Sequence, residues 1–184
     1  HQENKGLSGA RNTGLDKATG KYIMFLDSDD FFDSTSCESL YKCIERTNAD
    51  YVIGNYTNTN EDGTKWKNPV FSVEKYSEFK LSIKDYTHSF YIMNSGVWNK
   101  IFRKTFLDSL NIHFVEKLPA EDAIFTTDCF IHSKNVYYIP DNVYNYRLRD
   151  SDSISTNCSK SYFLGINKAY RIIYDNFRNS NNLE

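Results

Sequence analysis

The chain of 184 residues sets 22 Lys and Arg against 24 Asp and Glu, a formal charge of −2. That balance argues against nucleic acid as the main partner, since such binders carry a basic excess. The length suffices to bury a core in one domain, residues 1–182, and no apolar run approaches a membrane span or a secretory signal.

Leu7, Ala10, Arg11, Gly14, Leu15 and Ala18 recur at helical spacing, with Gly20 placed as a C-terminal stop. Small residues at Gly9, Ala10 and Gly14 let this helix lie close to a neighbour or a ligand. Arg11 offers a planar fork of donors suited to phosphate, although a lone arginine more often makes a surface ion pair. The run Tyr22-Ile-Met-Phe-Leu-Asp27-Ser-Asp29-Asp30 follows. An apolar segment that stops at turn signals predicts a strand buried on both faces, as in a parallel sheet. Open α/β sheets bind ligands at the carboxyl ends of their strands, where Asp27 and Asp29 would sit. Crowded carboxylates stay ionised together when a hard dication joins them. The alternative is a solvated turn that caps the next helix. A calcium loop starting at Asp27 is excluded, because Phe31 and Phe32 occupy a ligand position and the required glycine. A phosphohydrolase using Asp27 as covalent nucleophile stays open.

Thr35-x-x-Glu38 predicts a capping box, with Cys37, Leu40, Tyr41 and Ile44 as the apolar stripe of its helix. Asp50–Tyr56 predicts a strand, and Asn60-Glu-Asp-Gly63 a turn into Lys65-Trp66-Lys67. Ser77 to Phe90 leans towards helix. Val97–Phe102 predicts a strand or strand end and Lys104–Leu110 a short helix. Glu121–His132, entered through Pro119, carries Ile124, Phe125, Cys129 and Phe130 on one stripe. His132 reads as packing rather than ligand. Val136–Ile139, a turn at Pro140-Asp-Asn142 and Val143–Arg147 predict paired strands. Phe163, Ile166, Tyr170, Ile173 and Phe177 line a final helix from Lys160 to Arg178. Cys37, Cys43, Cys129 and Cys158 form no close pair, so buried thiols in a reducing compartment are expected.

Asn4-x-Gly6-x-Ser-x-Ala10-Arg11-Asn12-x-Gly14, then Gly20-Lys-Tyr22-Ile and Leu26-Asp27-Ser-Asp29-Asp30, resembles the core signature of family-2 glycosyltransferases. Gly96-Val-Trp98-Asn-Lys100-Ile-Phe-Arg103, Glu121-Asp122 opening a helix, and Tyr146-Arg147-x-Arg149-x-Ser-x-Ser153-Ile-Ser155 resemble later landmarks of that family. The resemblance implies an α/β, GT-A-like (Rossmann-like) mixed sheet flanked by helices. It also implies metal-dependent, inverting transfer of a hexosyl-type sugar from a nucleotide-sugar donor to a saccharide or lipid-linked acceptor hydroxyl, in bacterial surface polysaccharide synthesis. The enzyme would be cytoplasmic, at the inner face of the membrane.

By that resemblance Asp29, with Asp27, holds Mg²⁺ or Mn²⁺ against the donor diphosphate, and Asp30 supports them. Arg11, Asn12 and Arg149 join the donor site. Asp122 is the general base, held ionised by its helix N-terminus, and Glu121 orients the loop or the acceptor. The plain alternative for the acidic pair is dipole compensation. Trp98 and Lys100 shape an acceptor pocket, or Trp98 is core. Arg147, Arg149 and Ser153 form either a loop closing over the diphosphate or an exposed polar loop. Such enzymes begin with a strand–helix–strand–helix–strand unit holding base and ribose, whereas this chain opens at His1-Gln-Glu-Asn4. It is therefore read as an N-terminally truncated piece, with Leu183-Glu184 a cloning remnant. The edge near Tyr22 to Leu26 would be left open, so weak donor binding, no transfer by the piece itself and self-association through that edge are expected. A non-catalytic binding module is the remaining alternative.

Overall fold

The computed structural model describes residues 1–60, 62–66, 77–82, 94–148 and 159–180. Its elements run α1 (Gly6–Lys17), β1 (Tyr22–Met24), β2 (Phe31–Phe32), α2 (Ser36–Thr47), β3 (Tyr51–Thr59), β4 (Lys65–Trp66), β5 (Phe79–Leu81), β6 (Lys100–Arg103), α3 (Lys104–Leu110), α4 (Glu121–His132), β7 (Val136–Arg147) and α5 (Lys160–Asn179). The strands form one mixed sheet in the order β1-β6-β3-β7-β2, with β4 added to β3 and β5 to β7. β6 lies antiparallel between β1 and β3, and β7 runs parallel to β3. This is the α/β architecture expected.

Side-chain alternation along the central strands divides the core. Tyr51, Ile53 and Phe102 point to the face covered by Phe125, Cys129 and Phe130 of α4. Val52 and Ile101 point to the other face, against Leu40, Cys43 and Ile44 of α2. Both faces are covered there, so Tyr51-Val52-Ile53 at the start of β3 reads as an unbroken apolar run rather than an alternating one. Phe125 stacks on Phe114 with ring centroids 4.1 Å apart. Burying a side chain of that size stabilises by about 1.5–3 kcal/mol.

Several expectations are corrected. β1 has three residues, is half-buried at its ends and pairs antiparallel with β6, not within a parallel set. The chain must leave the sheet after Met24 to bring Asp27 under Tyr144, whose Oη accepts from the Asp27 amide. β1 is an edge strand, with no partner on its outer side among the described strands. The predicted hairpin at Pro140-Asp-Asn142 is instead an irregularity inside one continuous strand. Ile53 faces Tyr138 but Asn55 faces Asn142, so β7 bulges at Pro140, which has no N–H to give the ladder. Gly54 sits opposite, where an added Cβ would meet Val143 at 2.5 Å.

α1 ends at Lys17 with Ala18 extended, two residues before Gly20. Thr35 makes no side-chain cap, and the stripe of α2 is Leu40, Cys43 and Ile44, leaving Cys37 and Tyr41 exposed. β6 begins at Lys100 rather than Val97. Residues 79–81 form a strand on β7 instead of a helix; 83–90 lie outside the described residues. His132 is exposed, with its ring 2.9 Å from the Asp128 carbonyl. α5 buries Ala169 and turns Phe163 and Tyr170 outwards. Cys158 lies outside the described residues, and Cys43 and Cys129 are buried and unbridged. No described helix is long and apolar enough to cross a membrane.

Candidate active site

Arg11 organises the site. Two contacts on its own helix α1 set its position. Ser8 Oγ donates to the Val115 carbonyl at 3.0 Å. Asn12 clasps the backbone of Phe114 from both sides, at 2.9 and 2.7 Å. These bonds lay the segment leading to α4 along α1, with the Arg11 guanidinium 5.2 Å above the Phe114 ring. The carboxylates of Asp27, Glu121 and Asp122 then converge on it. Nη2 donates to Asp27 Oδ1 at 2.8 Å, and Nη1 to Glu121 Oε1 at 3.2 Å and to Asp122 Oδ1. The Arg11 side chain is 7 % exposed and that of Asp122 20 %.

One guanidinium facing three carboxylates leaves two excess negative charges when all are ionised. Burial disfavours charged Arg11, but Asp122, Asp27 and Glu121 outweigh it and raise its pKa. Burial pushes the Asp122 carboxyl up to about 6. Arg11 pulls it down, Glu121 and Asp27 push it up, and the Val97 backbone amide pulls it down. Asp122 is thus a mostly buried carboxyl poised near neutrality, the range in which a carboxylate can take up a proton. The entry to α4 is strained: Ala120, the N-cap, has φ 59 and makes no side-chain cap.

Asp30 turns away from this cluster. Its Oδ2 accepts from Tyr144 Oη at 2.8 Å and its Oδ1 from the Arg147 amide at 2.7 Å. Burial raises its pKa despite those two donors, and Asp29 and Asp27 raise it further. Tyr144, its own pKa raised by burial and by Asp30, stays a phenol that ties the carboxylate turn to β7.

The expected site residues therefore divide. Asp27, Glu121 and Asp122 are brought together, with Asp29 two residues from Asp27 on the same turn. Arg11 belongs to the cluster, with its fork on the three carboxylates. Asn12 clasps the Phe114 backbone. Asp30 anchors the turn. Trp98 is 8 % exposed and stacks on Tyr144 with centroids 4.5 Å apart, so it is core. Lys100 is 0 % exposed and cannot touch an acceptor. Arg149 and Ser153 lie outside the described residues. Tyr144 and Phe114 were missed. Tyr144 gave no signal in a strand rich in tyrosine, and Phe114 gave none in a loop.

For a metal, no group of three His, Cys, Asp or Glu side chains is placed as a ligand set among the described residues. Among the described residues, a dedicated protein cage is thus absent. The two carboxylates of the turn and the local excess of negative charge do fit a hard cation that completes its shell with phosphate oxygens and water.

Residues 1–106 match the family model described as Glycosyl transferase family 2. The chain is 32 % identical over 154 residues to glycosyltransferase GlyA of Streptococcus pneumoniae, covering 80 % of this chain and 22 % of that protein. It is 32 % identical over 170 residues to the poly(ribitol-phosphate) beta-N-acetylglucosaminyltransferase TarP of Staphylococcus aureus, covering 89 % and 50 %. The fold matches the crystal structure of S. aureus TarS 1–349 in complex with UDP-GlcNAc with a TM-score of 0.78 and 22 % identity, over 98 % of this chain and 49 % of that one. The chain spans half or less of each of these proteins. The GT-A sheet expected from the sequence is thereby borne out.

Proposed function

Because the chain belongs to glycosyl transferase family 2, we propose that it carries the catalytic residues of an inverting transferase. That enzyme moves a sugar from a nucleotide-sugar donor to an acceptor hydroxyl. The observation that carries this reading is the cluster around Arg11, which joins the strand-end carboxylate Asp27 to the buried acidic pair Glu121 and Asp122.

Asp29 and Asp27 would hold Mg²⁺ or Mn²⁺, which supplies positive charge to the diphosphate leaving group. Asp122 accepts the proton of the acceptor hydroxyl as it attacks from the side opposite the leaving group, and so the anomeric centre inverts. Arg11 keeps Asp122 ionised and fixes its distance from the carboxylate turn. Glu121, on the same nitrogen of Arg11, holds the entry of α4 in place. Tyr144, through Asp30 and the Asp27 amide, sets the height of that turn.

The donor is proposed as a UDP-activated hexosamine and the acceptor as a bacterial surface polymer or its lipid-linked precursor. The printed activity of TarP and the UDP-GlcNAc held by TarS support these choices. Action at the inner face of the bacterial membrane, and self-association along the open edge of β1, complete the proposal. Asp27 as a covalent nucleophile gains no support, since Arg11 holds its Oδ1. The test is release of nucleotide from a panel of nucleotide sugars by the full-length protein, with Mn²⁺, Mg²⁺ or EDTA. Metal-dependent release that Asp122→Asn abolishes is expected; release unaffected by Asp122→Asn would refute the assignment.

A further inference from the structure

The end of the sheet next to the carboxylate turn holds polar groups that neither the fold nor the chemistry above uses. Asn145 is 0 % exposed, yet its Oδ1 and Nδ2 have no hydrogen-bond partner among the described residues, and the buried Thr59 Oγ1 has none either. Buried amides and hydroxyls are nearly always paired, because burial costs them their bonds to water. Apolar side chains of similar shape avoid that loss, so the fold alone gives no reason for these two.

Strand register puts both on one face. Thr59 of β3 is opposite Lys65 of β4 and Arg147 of β7, while Asn145 of β7 is opposite Thr57 of β3 and Phe31 of β2. Paired residues share a face, and so do residues two apart along a strand. Thr57 is satisfied, since its Oγ1 donates to Asn142 Oδ1 at 2.6 Å. Two cations lie over this face. Lys65 Nζ is 5.6 Å from the centroid of the Phe31 ring and the Arg147 guanidinium 5.7 Å from it. β3 and β7 separate β4 from β2 in the sheet, so Lys65 extends over the strands that carry Thr59 and Asn145. Asp33 Oδ1 lies 3.8 Å from Nζ, with the Lys65 side chain 49 % exposed, and a pair so long and so wet holds the lysine weakly. Phe31 directly follows Asp30, whose Oδ1 accepts from the Arg147 amide at 2.7 Å. The patch therefore begins where the carboxylate turn ends.

We propose that this face binds a phosphate-bearing, hydroxylated unit of the acceptor. Lys65 lifts from the face to admit it. Lys65 and Arg147 then hold the phosphate, whose charge of about −1.5 to −2 as a monoester matches two cations. The Asn145 amide, donor and acceptor at once, and the Thr59 hydroxyl take the hydroxyls of the ligand. A neutral sugar leaves the cations without a counter-charge, and a bare anion leaves the amide unpaired; a polyol phosphate or sugar phosphate meets all four groups. The inference rests on the glycosyl-transfer reading and deepens it by naming the acceptor's chemistry.

The test titrates glycerol 3-phosphate into the full-length protein, with glycerol, inorganic phosphate and UDP as comparators, reading the Asn145 side-chain amide by NMR and the affinity by calorimetry. Glycerol 3-phosphate is expected to shift that amide saturably, to bind at least about fivefold tighter than inorganic phosphate, and to stay bound when UDP is added. Lys65→Met should weaken binding by roughly tenfold and Thr59→Val by about fivefold, the latter with the unfolding midpoint not lowered, because the hydroxyl has no partner to lose. Four results overturn the proposal: no saturable shift, equal binding of inorganic phosphate (an adventitious ion only), displacement by UDP, which would assign the face to the donor, or a lowered midpoint in Thr59→Val with binding intact. Nucleotide release from a UDP-sugar is read separately. If the wild type binds glycerol 3-phosphate and releases no nucleotide from any donor, the glycosyl-transfer reading fails while the phosphate site stands.

Discussion

Replacing Asp122 by Asn should raise the stability of the protein while removing its activity. The carboxyl ordinarily titrates near 3.8 and is pushed up to about 6 in the fold. The difference is about 2, and each tenfold step is worth about 1.4 kcal/mol, so keeping Asp122 ionised costs about 3 kcal/mol. That figure already includes the attraction of Arg11. The native state holds this proton more tightly than the unfolded chain does, so the cost is absent below pH about 4. It grows as pH rises and is complete above about 6. Asn resembles the protonated acid and escapes the cost. Urea unfolding of both proteins from pH 4 to 8 should therefore give equal stabilities at the acid end. At pH 8 Asp122→Asn should lead by up to about 3 kcal/mol. Turnover should drop by about two to four orders of magnitude. Wild-type kcat/KM should fall tenfold per pH unit below about 6. A variant less stable than wild type at pH 8 would sink the reasoning, because Asp122 would then be a structural partner of Arg11 rather than a strained base.

Asp29→Asn should abolish metal-dependent transfer with the unfolding midpoint unchanged; full activity in manganese would remove Asp29 from the donor side. Arg11→Met leaves Asp27, Glu121 and Asp122 facing one another. A loss of about 3–5 kcal/mol at neutral pH is expected in urea unfolding, shrinking as the carboxylates protonate. Ala120→Gly relieves a left-handed alanine and should stabilise by about 1 kcal/mol in the same assay, with no change in activity if the strain is only structural.

The sequence was most legible where local rules decide. Glu121–His132 was bounded correctly because Pro119, an acidic first turn and an apolar stripe mark it without tertiary help, and Lys104–Leu110 was bounded as expected too. The acidic residues at Asp27, Asp29 and Asp122 were legible by type and spacing. What each partner does was not. Nothing near Arg11 announces that its carboxylates arrive 110 and 111 residues later. Lys100 beside Trp98 and Asn99 looks like a surface cation, and only the apolar Val97, Ile101 and Phe102 around it hint at burial. Pro140-Asp-Asn142 carries turn chemistry, yet pairing with β3 on both sides of it keeps the strand going. The stripe of α2 was misplaced because Cys37 and Cys43 are equally apolar, and only the sheet beneath selects Cys43.

The long separations within the Arg11 cluster also time the birth of the site. Asp27 is 16 residues from Arg11, but Asp122 is 111 away. At a synthesis rate of about 5–20 residues per second, Arg11 and Asp27 emerge from the ribosome several seconds before the acidic pair. Non-local pairings of this kind are slow to close and appear late in folding. Until α4 docks, a nascent chain has Asp27 beside Arg11 but lacks the acidic pair. Under the proposed mechanism, catalytic competence would therefore arrive only with completed folding.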